Sequence, residues 1–187
     1  PSTLLEENGR AHFLTKRFDR EGSETKHHLQ TWCAMNHFDF NEVNSFSYEL
    51  LFQTMRELRL TYAEAEQMFR RMVFNVLARN CDDHTKNFAF RLKQGGTWEL
   101  APAYDICHAY APNHQWVSQH ALSINGKRTA ITRKDLLIVG ESIRCKNASQ
   151  IIDHIRDVVQ QWPSYAKAVG VSPKLREAIY STFELIH

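Results

Sequence analysis

The sequence predicts a single α+β domain over residues 1–187 in which helices predominate. Three observations support this class: one long apolar stripe at helical spacing, a Gly-Gly turn between two short apolar runs, and helix start signals in the C-terminal third. Of the 187 residues, 43% are hydrophobic and 24% are charged, which is enough to bury one sizeable core.

The composition argues against several kinds of partner. The chain has 23 Lys and Arg against 21 Asp and Glu, so its net charge of +2 provides no strong field for a polyanion. Its apolar runs are far shorter than the ~20 residues that span a bilayer, and its cysteines form no C-x-x-C pair. We therefore expect a cytoplasmic protein with reduced thiols and no membrane contact.

The N-terminal part predicts one strand and two helices. Residues 12–18 (HFLTKRF) have the composition of a short strand, and the charged segment 19–24 that follows, with its glycine, indicates a turn. Helices are predicted over residues 25–35 and 45–58.

The clearest element is a helix that begins at Thr61. Thr61 and Glu64 form a capping-box pattern, because the side chain of each can bond the backbone amide of the other. Apolar residues then follow at the spacing of a helix that packs on a core: Ala65, Met68, Phe69, Met72, Val73, Val76 and Leu77.

A polar loop and a hairpin follow this helix. Residues 80–87 (NCDDHTKN) are too polar to continue the buried face. The short runs 88–92 and 97–100 flank Gly95 and Gly96, which is typical of a β-hairpin.

Two further loops and two helices complete the chain. Residues 101–105 leave the hairpin, and residues 109–121 lack periodicity, which predicts a long surface loop. Asn147 and Ser172 carry helix start signals. The apolar faces of these two helices are Ile151, Ile152, Ile155, Val158 and Val159 for the first, and Leu175, Ala178, Ile179, Thr182 and Leu185 or Ile186 for the second.

Three polar residues in the loops carry the chemical hypothesis. Asp82 precedes Asn87 by five residues, and Asp105 follows the hairpin, which should bring the two loops side by side. In phosphoryl transfer by kinases, a carboxylate accepts the proton of the attacking hydroxyl, while an amide and a second carboxylate hold Mg²⁺. Either aspartate alone would indicate only a turn. The spacing of all three residues favours phosphoryl transfer.

The same residues carry a family resemblance. Residues 75–88 (NVLARNCDDHTKNF) and 100–112 (LAPAYDICHAYAP) resemble the HipA family of bacterial serine/threonine kinases, the toxins of toxin-antitoxin pairs. Residues 17–20 (RFDR) are similar to the hinge strand of that family, and residues 122–127 (LSINGK) are similar to the segment after its activation loop. The resemblance implies a serine/threonine protein kinase.

The resemblance implies a protein-kinase-like C-terminal lobe. Its expected parts are a hinge strand region (1–20), a core with the catalytic and metal-binding loops (21–131) and a helical bundle (132–187). The seven glycines assemble no phosphate-binding G-x-G-x-x-G or Walker pattern. We therefore expect the N-terminal kinase lobe to be absent from these residues, by truncation or because it is another chain, and we expect little turnover without it.

The resemblance also assigns roles in the loops, with ATP and Mg²⁺ as cofactors. It implies that Asp82 is the catalytic base and that Asn87 and Asp105 are the metal ligands. His84 and Lys86 would lie near the transferred phosphate.

Further roles concern the nucleotide and the partners. By resemblance, Tyr104 would lie beside the nucleotide, and the backbone around Lys16 to Phe18 would meet the adenine. Asp83 adjoins the base, and we interpret it as structural, because two free carboxylates so close would raise one pKa of the pair. The implied partners are a protein substrate and a helix-turn-helix antitoxin similar to HipB, with DNA contacted only through that antitoxin.

Two of the alternative interpretations concern other enzymes. A lipid or small-molecule kinase shares the same loop spacing, but residues 106–125 contain no Lys or Arg for an anionic headgroup. A metal-dependent phosphohydrolase would use a larger set of ligands to a transition metal. That set is His84, Asp82, Asp83, Asp105 and His108. Most other histidines are predicted at the surface: His27, His28, His37, His114, His120 and His154.

The last alternative is a non-catalytic, partner-binding fragment. The presence of Asp82, Asn87 and Asp105 together argues against a parent protein that has lost catalysis. It does not decide whether these residues act alone.

Overall fold

The computed structural model describes residues 2–42 and 44–186 and has the predicted α+β class, with helices predominating. Its strands are β1 (Ser2–Glu7), β2 (Arg10–Thr15), β3 (Arg20–Glu21), β4 (Thr25–Lys26), β5 (His28–Thr31), β6 (Ala89–Leu92) and β7 (Trp98–Leu100). Its helices are α1 (Trp32–Met35), α2 (Tyr48–Glu57), α3 (Tyr62–Leu77), α4 (Arg133–Ser142), α5 (Ala148–Gln160), α6 (Trp162–Ala168) and α7 (Pro173–Tyr180).

Helix α3 is the centre of the core, as the apolar stripe predicts. It begins with the predicted capping box, in which the Thr61 amide donates to the Glu64 carboxylate over 2.7 Å. Helices α2 and α5 pack against it, and Gly140 of α4 lies close to the Phe69 ring. The fully buried members of the stripe are Met68, Phe69, Met72, Val73, Val76 and Leu77.

The hairpin of β6 and β7 brings the two polar loops together. Strand β6 pairs with β7 through Phe90 and Leu100, and with β5 through Ala89 and Thr31, all antiparallel. Ala101 donates a backbone hydrogen bond to Ala89. The loop before β6 and the loop after β7 therefore leave the sheet at the same end.

The helix predicted over residues 25–35 is wrong. Its first part forms β4 and β5, and only the single turn of α1 is helical. The pairing of β5 with β6 satisfies its backbone hydrogen bonds within the sheet, so tertiary pairing outweighs the local pattern. The helix predicted over residues 45–58 is confirmed as α2.

The strand predicted over residues 12–18 begins and ends earlier, at Arg10 and Thr15, and has a partner. Strand β2 ends at Thr15 and residues 16–19 have no regular structure, so of residues 17–20, which resemble a hinge strand, only Arg20 lies in a strand, β3. Strand β1 pairs with β2 around Asn8 and Gly9, which both have positive φ. An Asn-Gly turn is a strong hairpin signal, and it would have predicted β1.

The C-terminal third contains the two predicted helices, α5 and α7, and two more. Helix α4 begins with a capping box of Thr132 and Asp135, a pattern of the same kind as that of α3. Helix α7 is capped by Ser172 and begins at Pro173, as predicted, but none of its residues is buried and Leu175 is 54% exposed. Among the described residues, no helix is both long and apolar enough to cross a bilayer.

Candidate active site

The loop between α3 and β6 holds Asp82 and Asn87 together. Residues Thr85–Asn87 form a single 3₁₀ turn, in which the backbone N–H of Asn87 donates to the His84 carbonyl over 2.9 Å. The Asn87 side-chain Nδ2 donates to the Asp82 carbonyl over 2.8 Å. Its Oδ1 makes no hydrogen bond within the described residues, so it is free to meet a ligand.

The second loop is fastened to the first by one side chain. The Tyr104 hydroxyl donates to the Lys86 carbonyl over 2.7 Å. The next residue, Asp105, is exposed and has φ of 53°, a left-handed conformation that aspartate tolerates better than most residues. Burial, Asp105 and Asp82 all raise the pKa of Cys107, so both carboxylates act on one thiol. The loops therefore bring Asp82, Asn87 and Asp105 to one end of the sheet.

The donor set at this end of the sheet suits a hard divalent cation. Asn87 offers an amide oxygen and Asp105 a carboxylate, and Mg²⁺ needs only one or two carboxylates from a protein because it keeps several waters. Asn87 and Asp105 are the residues that would hold Mg²⁺ here.

The larger transition-metal set is not brought together. His108 bonds Thr182 over 2.8 Å, and Asp83 points into the core. In the described part of the chain, no group of three or more His, Cys, Asp or Glu side chains could hold a metal ion. The prediction that these five side chains form one metal site, as the phosphohydrolase interpretation requires, is therefore wrong.

One cleft gathers the residues expected at the nucleotide. It has a volume of about 420 Å³, and its lining includes Lys16, Phe18, Tyr104 and Asp105. The rings of Phe18 and Tyr104 are stacked, with centroids 6.1 Å apart. Burial and the nearby Asp105 carboxylate raise the pKa of Tyr104 to about 12. The Tyr104 phenol is therefore neutral at physiological pH and can donate its hydrogen bond to the Lys86 backbone carbonyl.

Asp82 and His84 line a different cavity. The Asp82 side chain is 43% exposed, and its Oδ1 lies 3.8 Å from His84 Nε2. The Lys86 ammonium lies 3.2 Å from the centroid of the Phe40 ring, a cation–π contact. The two cavities share no lining residue, and of the two only the first is lined by Asp105.

Asp83 is a buried structural residue, as its position beside Asp82 suggested. One oxygen accepts from the Tyr48 hydroxyl over 2.8 Å and lies 3.1 Å from His120 Nδ1, while the other accepts from the Ala121 amide over 2.8 Å. Tyr48 in turn accepts from Asn75 of α3. Asp83 therefore connects the candidate catalytic loop to α2, α3 and residues 120–121.

The surface position predicted for His120 is wrong. His120 is 1% exposed, and the His27 side chain is 5% exposed, whereas the other four predicted surface histidines are exposed. The partners of Asp83 lie 35 and 37 residues away along the chain, so no local pattern could predict them.

The buried pair makes stability depend on pH. Burial alone would lower the pKa of His120, but the charge and hydrogen bond of Asp83 outweigh it and raise that pKa from 6.5 to about 10. A raised pKa contributes stability that is complete below pH 6.5 and is lost as the pH rises through about 10. We expect the urea midpoint to fall between pH 7 and pH 10. The Asp83→Asn variant should lose this slope, and an identical slope in both proteins would contradict the assignment.

The fold is similar to that of a solved HipA structure. The structure matches HipA in the complex of HipA, HipB and operator DNA from the toxin-antitoxin system of Shewanella oneidensis MR-1, with a TM-score of 0.67 and 19% identity. The match covers 97% of this chain and 48% of that one. The fold is therefore that of a HipA-type lobe.

The sequence comparisons identify the family. The pattern of the HipA-like C-terminal domain family matches residues 1–163, and the chain belongs to that family. The chain is also 24% identical over 184 residues to a Sinorhizobium fredii protein named "Putative kinase Y4dM", which covers 96% of this chain and 44% of that protein. The chain thus spans less than half the length of the relatives that it matches.

Proposed function

We propose that the chain is the C-terminal lobe of a HipA-like serine/threonine protein kinase. The kinase would transfer the γ-phosphate of ATP to a protein hydroxyl and act as the toxin of a toxin-antitoxin system. One observation carries the proposal: the Tyr104 to Lys86 hydrogen bond joins the loop of Asp105 to the loop of Asp82 and Asn87, so the proposed base and the proposed metal ligands lie on two connected loops.

Each loop residue has a task in this reaction. Asp82 takes the proton of the substrate hydroxyl, whose oxygen bonds to the γ-phosphorus as the bond to ADP breaks. Asn87 and Asp105 would hold Mg²⁺, which would supply positive charge against the phosphates when bound. Lys86 and His84 lie beside Asp82 and complement the transferred phosphate.

The nucleotide would bind in the cleft at Phe18 and Tyr104. The stacked pair offers an aromatic surface beside the adenine, and the backbone of Lys16 to Phe18 lines the same cleft, although the Phe18 carbonyl already accepts a hydrogen bond from Arg91. The chain spans less than half of its relatives, and its glycines form no phosphate loop, so a second, N-terminal lobe would supply the other wall. Without that lobe, nucleotide affinity and turnover should be low.

Turnover assays test the proposal. Phosphoryl transfer from Mg-ATP is measured for the 187-residue chain alone and for the complete product of its reading frame. The complete product should turn over at kinase rates, about 1–100 s⁻¹, and the chain alone near background. Ordinary rates from the chain alone would contradict the need for a second lobe. The absence of transfer by the complete product would contradict the kinase.

An antitoxin partner is part of the same proposal. The matched Shewanella structure contains HipA with HipB and operator DNA, and the net charge of +2 gives this chain little attraction for DNA itself. The proposed partner is therefore a helix-turn-helix antitoxin similar to HipB, through which DNA is contacted indirectly. The protein would act in the cytoplasm, on a protein substrate.

A further inference from the structure

A second cavity opens beside the proposed base, away from the nucleotide cleft. Its volume is about 320 Å³, at the lower end of the range for ligand pockets. Most of its walls are apolar, but its polar edge includes the candidate base. The lining residues are Phe40, Asp82, His84, His114, Trp116, Val117 and Ala121.

The walls of this cavity, which we call the acceptor pocket, are held in place by the loop between α3 and β6. Phe40 lies under the Lys86 ammonium, which follows Asp82 by four residues. Ala121 donates to the Asp83 carboxylate, the neighbour of the base. Both walls are therefore tied to the loop that carries Asp82, so the pocket keeps a fixed position relative to the proposed reacting group.

Two large aromatic side chains in the pocket remain open to solvent. Trp116 is 45% exposed and Phe40 is 40% exposed. Backbone hydrogen bonds between Ala111 and Val117 and between His114 and Ser118 hold the wall that bears Trp116. Exposed aromatic side chains beside a concave surface are typical anchors for an apolar partner group.

The charge of the long loop selects among partners. Residues 106–125 contain no Asp, Glu, Lys or Arg, and His120 is buried against Asp83, so this wall presents no acidic residue, lysine or arginine to an ionic group. An anionic headgroup would lose hydration here and would meet the Asp82 carboxylate, while a basic side chain would find no acidic residue on this wall and could pair only with the proposed base itself. An uncharged, apolar side chain loses nothing on entry.

We propose that this pocket binds a large apolar side chain next to the serine or threonine that the kinase phosphorylates. The inference rests on the proposed function, and it names the substrate class for the same site: protein segments in which the accepting hydroxyl is flanked by an aromatic or large aliphatic residue. Burial of that side chain against Trp116 and Phe40 positions the hydroxyl at Asp82.

Peptide substrates test the pocket. The probes are alanine-rich peptides with one Ser and with Phe, Leu, Gln, Lys or Glu placed before or after it, phosphorylated by the complete protein with Mg-ATP. The Phe and Leu peptides should have a kcat/KM at least about 10-fold above the Lys and Glu peptides. Trp116→Ser should reduce this ratio to near one and leave the KM for ATP unchanged. Tyr165→Ser, which alters an exposed aromatic residue of α6, is the matched control.

A binding measurement separates the two proposals. Trp116 is the exposed tryptophan of the pocket, so a Phe peptide should shift the emission of the protein to the blue, and Trp116→Phe should abolish that shift. If the Phe peptide binds but no peptide is phosphorylated, the proposed binding pocket stands and the proposed kinase activity is contradicted. The proposal that this pocket binds an apolar side chain would be overturned if all peptides were phosphorylated with equal kcat/KM. It would also be overturned if the Phe peptide caused no change in emission.

Discussion

Replacement of Asp82 by asparagine should lower the rate of phosphoryl transfer by about 10²- to 10⁴-fold, the usual contribution of a general base. The amide keeps the size of the side chain but cannot accept the hydroxyl proton. The hydrogen bond that fixes this loop uses the backbone carbonyl of residue 82, so the substitution preserves it. The rate is measured with the complete protein, Mg-ATP and a serine peptide.

The control for this variant is Asp157→Asn, which removes an exposed carboxylate from α5. It should leave the rate unchanged. A second comparison, Asp105→Asn, should raise the Mg²⁺ concentration needed for half-maximal rate, because Asp105 is a proposed ligand rather than the base. If Asp82→Asn retained a rate within about 3-fold of the parent protein, Asp82 would not be a general base.

Replacement of Asp83, the adjacent residue, should act on stability instead. Asp83→Asn leaves the buried His120 without its counter-charge and leaves Tyr48 with a weaker acceptor. Removal of one partner from a buried ion pair costs about 3–5 kcal/mol, which is a large part of the 5–15 kcal/mol that stabilises a typical domain. Urea unfolding of the 187-residue chain at pH 7 measures the loss.

Two further variants make the stability result specific. Asp157→Asn should change the free energy of unfolding by less than about 0.5 kcal/mol, because the side chain is 62% exposed. Asp83→Asn combined with His120→Gln removes both charges and should recover part of the loss. Equal stability of Asp83→Asn and the parent protein would exclude a buried charged pair.

Asp82 and Asp83 are neighbours in the chain but lie in different environments. Asp82 is partly exposed at a cavity, whereas both oxygens of Asp83 are occupied by donors from other elements. The sequence predicted a chemical role for Asp82 and a structural role for Asp83, but it did not predict the partners of Asp83. A single loop thus combines a solvent-facing candidate base with an internal anchor for its position.

Local patterns predicted those elements whose stabilising contacts are local. The α3 helix carries its capping box and apolar stripe within itself, and the β6–β7 hairpin is specified by Gly95 and Gly96. Strand β5 depends on β6, which lies about sixty residues further on, and was predicted as a helix. His120 is buried against Asp83, which lies 37 residues earlier in the chain, so its burial also depends on a distant partner.

The candidate site was predictable to a similar extent. The spacing of Asp82, Asn87 and Asp105 is a local feature on either side of one hairpin, so the pattern indicated that the two loops would meet. The acceptor pocket depends on Phe40 and Trp116, which approach Asp82 from two distant segments with no recognisable motif. Tertiary contacts, rather than residue types, define that part of the site.

Anomalous diffraction from Mn²⁺ tests most directly whether Asn87 and Asp105 hold the metal beside Asp82. Crystals of the complete protein are grown with Mn²⁺ and a non-hydrolysable ATP analogue, and the anomalous signal locates the metal. We predict a peak in contact with both the Asn87 amide oxygen and the Asp105 carboxylate, with the Asp82 carboxylate facing the γ-phosphate. A peak that contacts neither residue, or bound analogue with no metal at these side chains, would contradict the phosphotransfer site.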